Sequence, residues 1–245
     1  MTINKAYLET VYILGKKELA SYFNSPIAYI FIGAFLLVGN WLFFTNFYLI
    51  NEASMRQYFS FLPWMFMFLA PAITMRLWAE EKKSGTIEFL LTLPITNFQA
   101  VLAKFLSSLA FIAIGLLLTL TLPISVAQIG HLDWGPVIGS YLGALLLAGA
   151  YLALGLFISA LTKNQIISFV LALFASFGFY IIGSDFVVAS APQLFVPIFS
   201  FLGLGSHFQT IAKGVIDTKD LFYYLSFILF FLWLNHRVIE QRNWQ

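Results

Sequence analysis

The chain has 245 residues, 60% of them hydrophobic and only 10% charged, with a formal net charge of +2 and no cysteine. Soluble domains carry about 25% charged residues, so this composition excludes one, and a small positive charge without a basic stripe excludes nucleic-acid binding. Without cysteine there are no disulfides, thiolate metal sites or cysteine nucleophiles.

The apolar residues fall in runs of about 20 separated by short polar links, the pattern that backbone satisfaction inside hydrocarbon imposes on helices. A β-barrel would alternate instead. The expected fold is an all-α integral membrane protein, one transmembrane domain over 1–245, with six spans at about 27–50, 58–78, 100–129, 136–161, 166–188 and 221–238.

Ahead of the first span, residues 1–26 predict an interfacial helix. Leu8, Val11, Leu19 and Tyr22 fall on one side, and Lys5, Glu9 and Lys16 on another, before a turn at Ser25-Pro26. Glu18 interrupts the apolar side, which leaves a plain cytoplasmic helix as the alternative. Asn40 in the first span is the only strongly polar amide well inside a membrane segment, suited to a hydrogen bond between helices or subunits. Pro63 and Pro71 are expected to kink the second.

Between spans two and three lies RLWAEEKKSGTIEFLLTLP, Arg76 to Pro94. Glu80, Glu81, Lys82 and Lys83 give four consecutive charges. Ser84-Gly85 reads as a helix start, followed by Thr86, Ile87, Glu88, Leu90 and Leu91, with Ile87, Leu90 and Leu91 on one face and Pro94 as the stop. This segment, 79–99, reads as a docking element. A solvated charged loop is the bland alternative.

In the fourth span Gly139 and Gly143 form GxxxG, extended by Ser140, Ala144 and Ala148. Packing within one subunit is preferred over a dimer contact, because small residues recur throughout polytopic bundles. Ser168, Ala172 and Ser176 make a similar stripe in the fifth span, and Asp185 is expected as an interfacial carboxylate at that span's outer end. The segment 189–220 is expected to form short outer helices with Phe201, Leu204, Phe208, Ile211 and Val215 on one side and Gly203, Gly205 and Gly214 between them. Asp217 or Thr218 would cap the sixth span, which must extend past His236 and Arg237 by snorkelling.

With the N-terminus inside, Lys5, Lys16, Lys17, Arg76, Lys82, Lys83, Lys104, Lys163, Arg237 and Arg242 are cytoplasmic, against Arg56, Lys213 and Lys219 outside. The positive-inside rule therefore puts both termini and the 79–99 loop in the cytoplasm.

No phosphate-cradling GxxxxGK[ST], hydrolase elbow GxSxG or zinc motif HExxH occurs, and His131, His207 and His236 stand far apart, so no metal, cofactor or catalytic residue is assigned. An ion-coupled carrier keeps ionisable groups near mid-bilayer; none is expected here.

Three stretches resemble a known family: GKKELASYFNSPIAYIF from Gly15, PAITMRLWAEEKKSGTIEFLLTLPITNFQAVLAKF from Pro71, and HFQTIAKGVIDTKDLFYYLSF from His207. The chain resembles the type-2 permeases of ABC transporters, in particular the gliding-motility-like branch. The resemblance implies a permease subunit in the bacterial inner membrane, paired with a second copy or a related permease. Two cytoplasmic ABC ATPase subunits, binding ATP and Mg2+, would dock on a coupling helix at Glu80–Leu93. It also implies ATPase contact by Lys16–Phe23, and a pathway flanked by faces of Tyr58–Trp78 and Ile166–Val188. The short loops 51–57 and 129–135 leave an outer domain to an accessory protein. Two other readings are an ATP-driven mechanotransmitting element acting on an outer-facing partner and an ion-coupled secondary carrier.

Overall fold

The computed structural model describes residues 2–50, 54–88, 94–214 and 217–242, and among them only helices and their connections. In chain order they are α1 (Thr2–Phe23), α2 (Pro26–Ile50), α3 (Arg56–Thr74), α4 (Ala79–Ser84), α5 (Asn97–Leu118), α6 (Thr121–Ile129), α7 (Trp134–Leu161), α8 (Gln165–Ile181), α9 (Asp185–Ser190), α10 (Val196–Leu202), α11 (Leu204–Ala212) and α12 (Thr218–Arg242). Among the described residues five apolar stretches, carried by α2, α3 with α4, α5 with α6, α7 and α12, are long enough to cross a membrane. The sixth, α8, has 17 residues, about 25 Å at 1.5 Å per residue.

α7 is the hub. From Leu147 to Ala160 every residue but Phe157 is buried, and α3, α5, α8, α11 and α12 all pack on it. The sequence explains why: its Gly, Ala and Ser positions let neighbouring backbones come close from every side. Where Gly155 faces α3, an added Cβ would collide with Thr74. The stripe Ser168, Ala172 and Ser176 is the buried side of α8, as its small residues suggest.

The third span is broken. α5 stops at Leu118 and α6 begins at Thr121, because Pro123 lacks an N–H and its ring crowds the carbonyl four residues back, that of Thr119. Thr119 fills the gap, donating to Leu116 O at 2.7 Å and lying 3.0 Å from the Tyr141 hydroxyl of α7. α3, by contrast, runs through both Pro63 and Pro71.

The fifth span is shorter than expected. Helix α8 ends at Ile181, and Gly183 turns the chain against Gly203, where an added Cβ would stand 2.6 Å from the Gly203 Cα. Asp185 therefore sits in the exposed first turn of α9, not at the end of a helix reaching Val188. The short helices expected over 189–220 are present as α10 and α11, with α9 just before them. Leu204, Phe208 and Ile211 of α11 are buried, whereas Phe201 is 61% exposed; Val215 lies outside the described residues.

These short helices are tied to α12 by an aromatic and hydrogen-bonded cluster. His207 Nδ1 lies 2.6 Å from Asp220 Oδ1, while its Nε2 donates to Phe201 O at 3.0 Å, and the ring stacks on Tyr223. The hydroxyls of Tyr223 and Tyr224 donate to Leu202 O and Leu204 O. Asp217 caps α12, accepting from Lys219 N at 3.0 Å.

Candidate functional site

The segment singled out by its charge leaves α3 through a turn, Met75–Trp78, and enters the single-turn-plus helix α4. The first amides of a helix have no partner within it, and no side chain of this segment caps α4. Ser159 of α7 takes that place. Its hydroxyl accepts from Trp78 N and Ala79 N, each at 3.2 Å, and donates to Met75 O at 3.2 Å. Lys82 Nζ donates to Ala160 O, where α7 ends, so a cation meets the negative end of that helix. Two points therefore pin α4 to α7.

A third attachment is ionic. Lys104 of α5 is 2% exposed, and its ammonium lies 2.8 Å from Glu18 Oε1 of α1 and 2.5 Å from Glu81 Oε1 of α4. It also sits 4.9 Å from the centre of the buried Trp78 ring. A buried lysine needs such partners, since unpaired it would forfeit its hydration uncompensated. Burial raises the Glu81 carboxyl above the ordinary glutamate range; Lys104 opposes this and Glu18 adds to it. Two carboxylates thus share one ammonium. Beside them Tyr22 OH lies 3.0 Å from Ser108 Oγ, and the Arg76 guanidinium stacks 4.9 Å from the Tyr22 ring centre. A cleft of about 390 Å³ opens here between Glu18, Tyr22, Arg76, Glu80 and Lys104.

The structure separates the predicted docking residues into two groups. Glu80, Lys83, Ser84, Gly85, Thr86, Glu88 and Pro94 are exposed, while Glu81 and Lys82 turn inward to the contacts just given. Ser84-Gly85 ends a helix before another begins. Ser84 bonds back to Glu80 O at 2.9 Å, Gly85 closes α4 at φ 76°, a left-handed position that suits glycine, and residues 86–88 are helical again. Ile87, expected on a face offered outward, is 1% exposed and packs in the core. Leu90 and Leu91 lie outside the described residues.

Of the packing candidates, Gly139 and Gly143 face α11 of the same chain. A Cβ on Gly143 would stand 2.8 Å from Ile211 Cγ2, and one on Gly139 3.2 Å from Ile211 O. Ser168 and Ala172 are buried inside the bundle and Asn40 is half-buried on α2. On α1, Val11 and Tyr22 pack inward but Leu8 is 67% exposed. Glu18 lies on the packed side because Lys104 is there to receive it.

Sequence reasoning missed Lys104 and Ser159 as parts of this site. Lys104 had a signal: a lone cation inside the apolar run VLAKFLSSL requires an anionic partner. Ser159 had none, because its three bonds depend on where the α3–α4 turn lands.

A family model described as ABC-2 family transporter protein matches residues 48–235, from the end of α2 through most of α12. The chain belongs to this family. It is therefore a permease component of an ABC transporter, a multi-pass membrane part that is not itself the ATPase. No curated protein matches the chain.

Proposed function

We propose that α4 and residues 86–94 are the coupling element of this ABC-2 permease, through which a separate cytoplasmic ATPase drives conformational change in the bundle. The observation that carries this reading is the threefold anchorage of α4: to α7 through Ser159 and Lys82, and to α1 and α5 through the Glu81–Lys104–Glu18 triad. A segment merely looping between spans needs no such attachment; one that receives force does. Its exposed charges, Glu80, Lys83 and Glu88, form the surface offered to the ATPase.

In this reading α8 is the fifth of six spans, both termini are cytoplasmic, and the protein resides in the inner membrane. Two copies, or one copy and a related permease, face each other with two ATPase subunits that bind ATP and Mg2+. The three motif stretches support the gliding-motility-like branch, and an outer-facing accessory protein completes the assembly. The cargo is exported or translocated at the expense of ATP.

The test is co-purification with the ATPase, followed by ATP hydrolysis in liposomes. The Glu80→Lys, Lys83→Glu double reversal, confined to exposed side chains, is expected to lower permease-dependent hydrolysis at least tenfold. Full activity in that variant, together with no ATPase partner in the purified complex, would remove the coupling role. Hydrolysis without movement of any tested cargo would favour force transmission to an outer partner instead.

A further inference from the structure

At the end of the bundle opposite α4, two clefts of about 270 and 340 Å³ lie side by side. Arg56, Ala212 and Lys213 line both. Arg56 opens α3, about 27 Å along that helix from Thr74 at 1.5 Å per residue, and Lys213 follows α11, so two cations distant in sequence converge from different elements.

Neither cation has an ion-pair partner among the described residues. Among the described residues the one carboxylate lining these clefts, Asp133, is engaged at the start of α7, where it accepts from Gly135 N at 3.1 Å. His131 stands on the rim of the first cleft, and Ser60 and Gln209 add polar atoms to the second. Ser54 and Ser140 add polar atoms to the first cleft and Tyr180 to the second, while Phe59 and Val137 on one side and Pro63 and Phe208 on the other give each an apolar wall.

Positive charge is scarce at this end. Of the 13 basic residues, the topology expectation leaves three here, and two of those three share these clefts. A guanidinium fork and an ammonium across one opening suit a group whose negative charge is spread over several oxygens, and arginine binds such groups through paired N–H donors. Apolar walls beside the cations suit an amphiphile.

We propose that the twin clefts around Arg56 and Lys213 form a binding site for a phosphate group carrying net negative charge, presented by a lipid headgroup or by a soluble phosphate compound. This does not depend on how the permease is driven, so it is tested on the chain alone by binding and not by ATP hydrolysis.

The full chain in non-ionic detergent is titrated with dihexanoyl phosphatidylglycerol, inorganic pyrophosphate and, as the zwitterionic control, dihexanoyl phosphatidylcholine, with the thermal midpoint as readout. Phosphatidylglycerol or pyrophosphate is expected to raise the midpoint, and phosphatidylcholine to leave it unchanged. Saturation by the lipid alone assigns a headgroup; saturation by pyrophosphate assigns a soluble phosphate. The Arg56→Gln, Lys213→Gln variant is expected to bind at least tenfold more weakly, and the charge-preserving Arg56→Lys, Lys213→Arg variant to recover most of that loss. Lys219→Gln, a third outer cation lining neither cleft, is expected to stay within twofold of the parent. Binding by neither probe, parental binding by the double glutamine variant, or an equal loss in Lys219→Gln would each overturn the proposal.

Discussion

Lys104 shows how a single side chain can hold three elements while stabilising the fold rather little in net terms. Removing one member of a buried ion cluster costs about 3–5 kcal/mol, because its partners stay buried and uncompensated, whereas replacing the whole cluster by neutral groups is often neutral or favourable. Lys104→Met is therefore expected to lower the thermal midpoint sharply, measured by unfolding in detergent. The Glu18→Gln, Lys104→Met, Glu81→Gln triple variant is expected to recover most of it yet couple poorly to ATP hydrolysis, having lost the tie between α1, α4 and α5. A triple variant as unstable as the single one would show that shape, not charge, holds these helices. Gly143 gives a second test at this scale. Gly143→Val would force a side chain into the 2.8 Å space before Ile211, with overpacking of about 1–3 kcal/mol. Trimming Ile211 to Ala should relieve much of that loss in a double-mutant cycle. Gly183→Ala meets the Gly203 backbone, so no side-chain trimming should rescue it.

At the scale of elements, α4 is too short to persist by propensity alone, and its fixed position comes from Ser159 and Lys82. Loss of a helix cap costs about 1 kcal/mol, so Ser159→Ala is expected to leave global stability within that margin. Amide hydrogen exchange at Trp78 and Ala79 should nevertheless rise, read by mass spectrometry on the peptide spanning the α3–α4 turn; unchanged exchange would show that α4 is held elsewhere. Elements differ in how plainly the sequence announced them. The small-residue stripes of α7 and α8, the Asp217 cap and the short outer helices were legible, because glycine, serine and aspartate act locally and at fixed spacing. The break at Thr119 was missed although Pro123 lay in plain view, since α3 continues as helix through its prolines while the chain breaks in the third span. At the break the Thr119 hydroxyl finds Leu116 O and the Tyr141 hydroxyl of α7, a neighbour that only the folded bundle supplies. Likewise Ile87 obeys its helical spacing, but spacing alone does not say whether an apolar face meets a partner or the protein's own core.

Across the whole molecule, the absence of cysteine makes orientation directly measurable. Single cysteines at Arg56 or Lys213 are expected to react with a membrane-impermeant maleimide on intact cells, and one at Lys83 only after permeabilisation; the reverse pattern would invert the topology. The candidate site was half visible from sequence because clustered charges survive in one dimension. Their pairing does not, because Glu18, Glu81 and Lys104 meet only once α1, α4 and α5 are folded together.

Helix α7 holds α4 at Ser159 and, near its other end, receives Ile211 against Gly139 and Gly143. About 30 Å of continuous helix, at 1.5 Å per residue, separates the two grips. The rigid rod between them has no hinge proline, for the only proline in α7 is Pro136, in its first turn. If α4 takes a push from a partner, this helix is the direct path along which it would reach Ile211, two residues from Lys213.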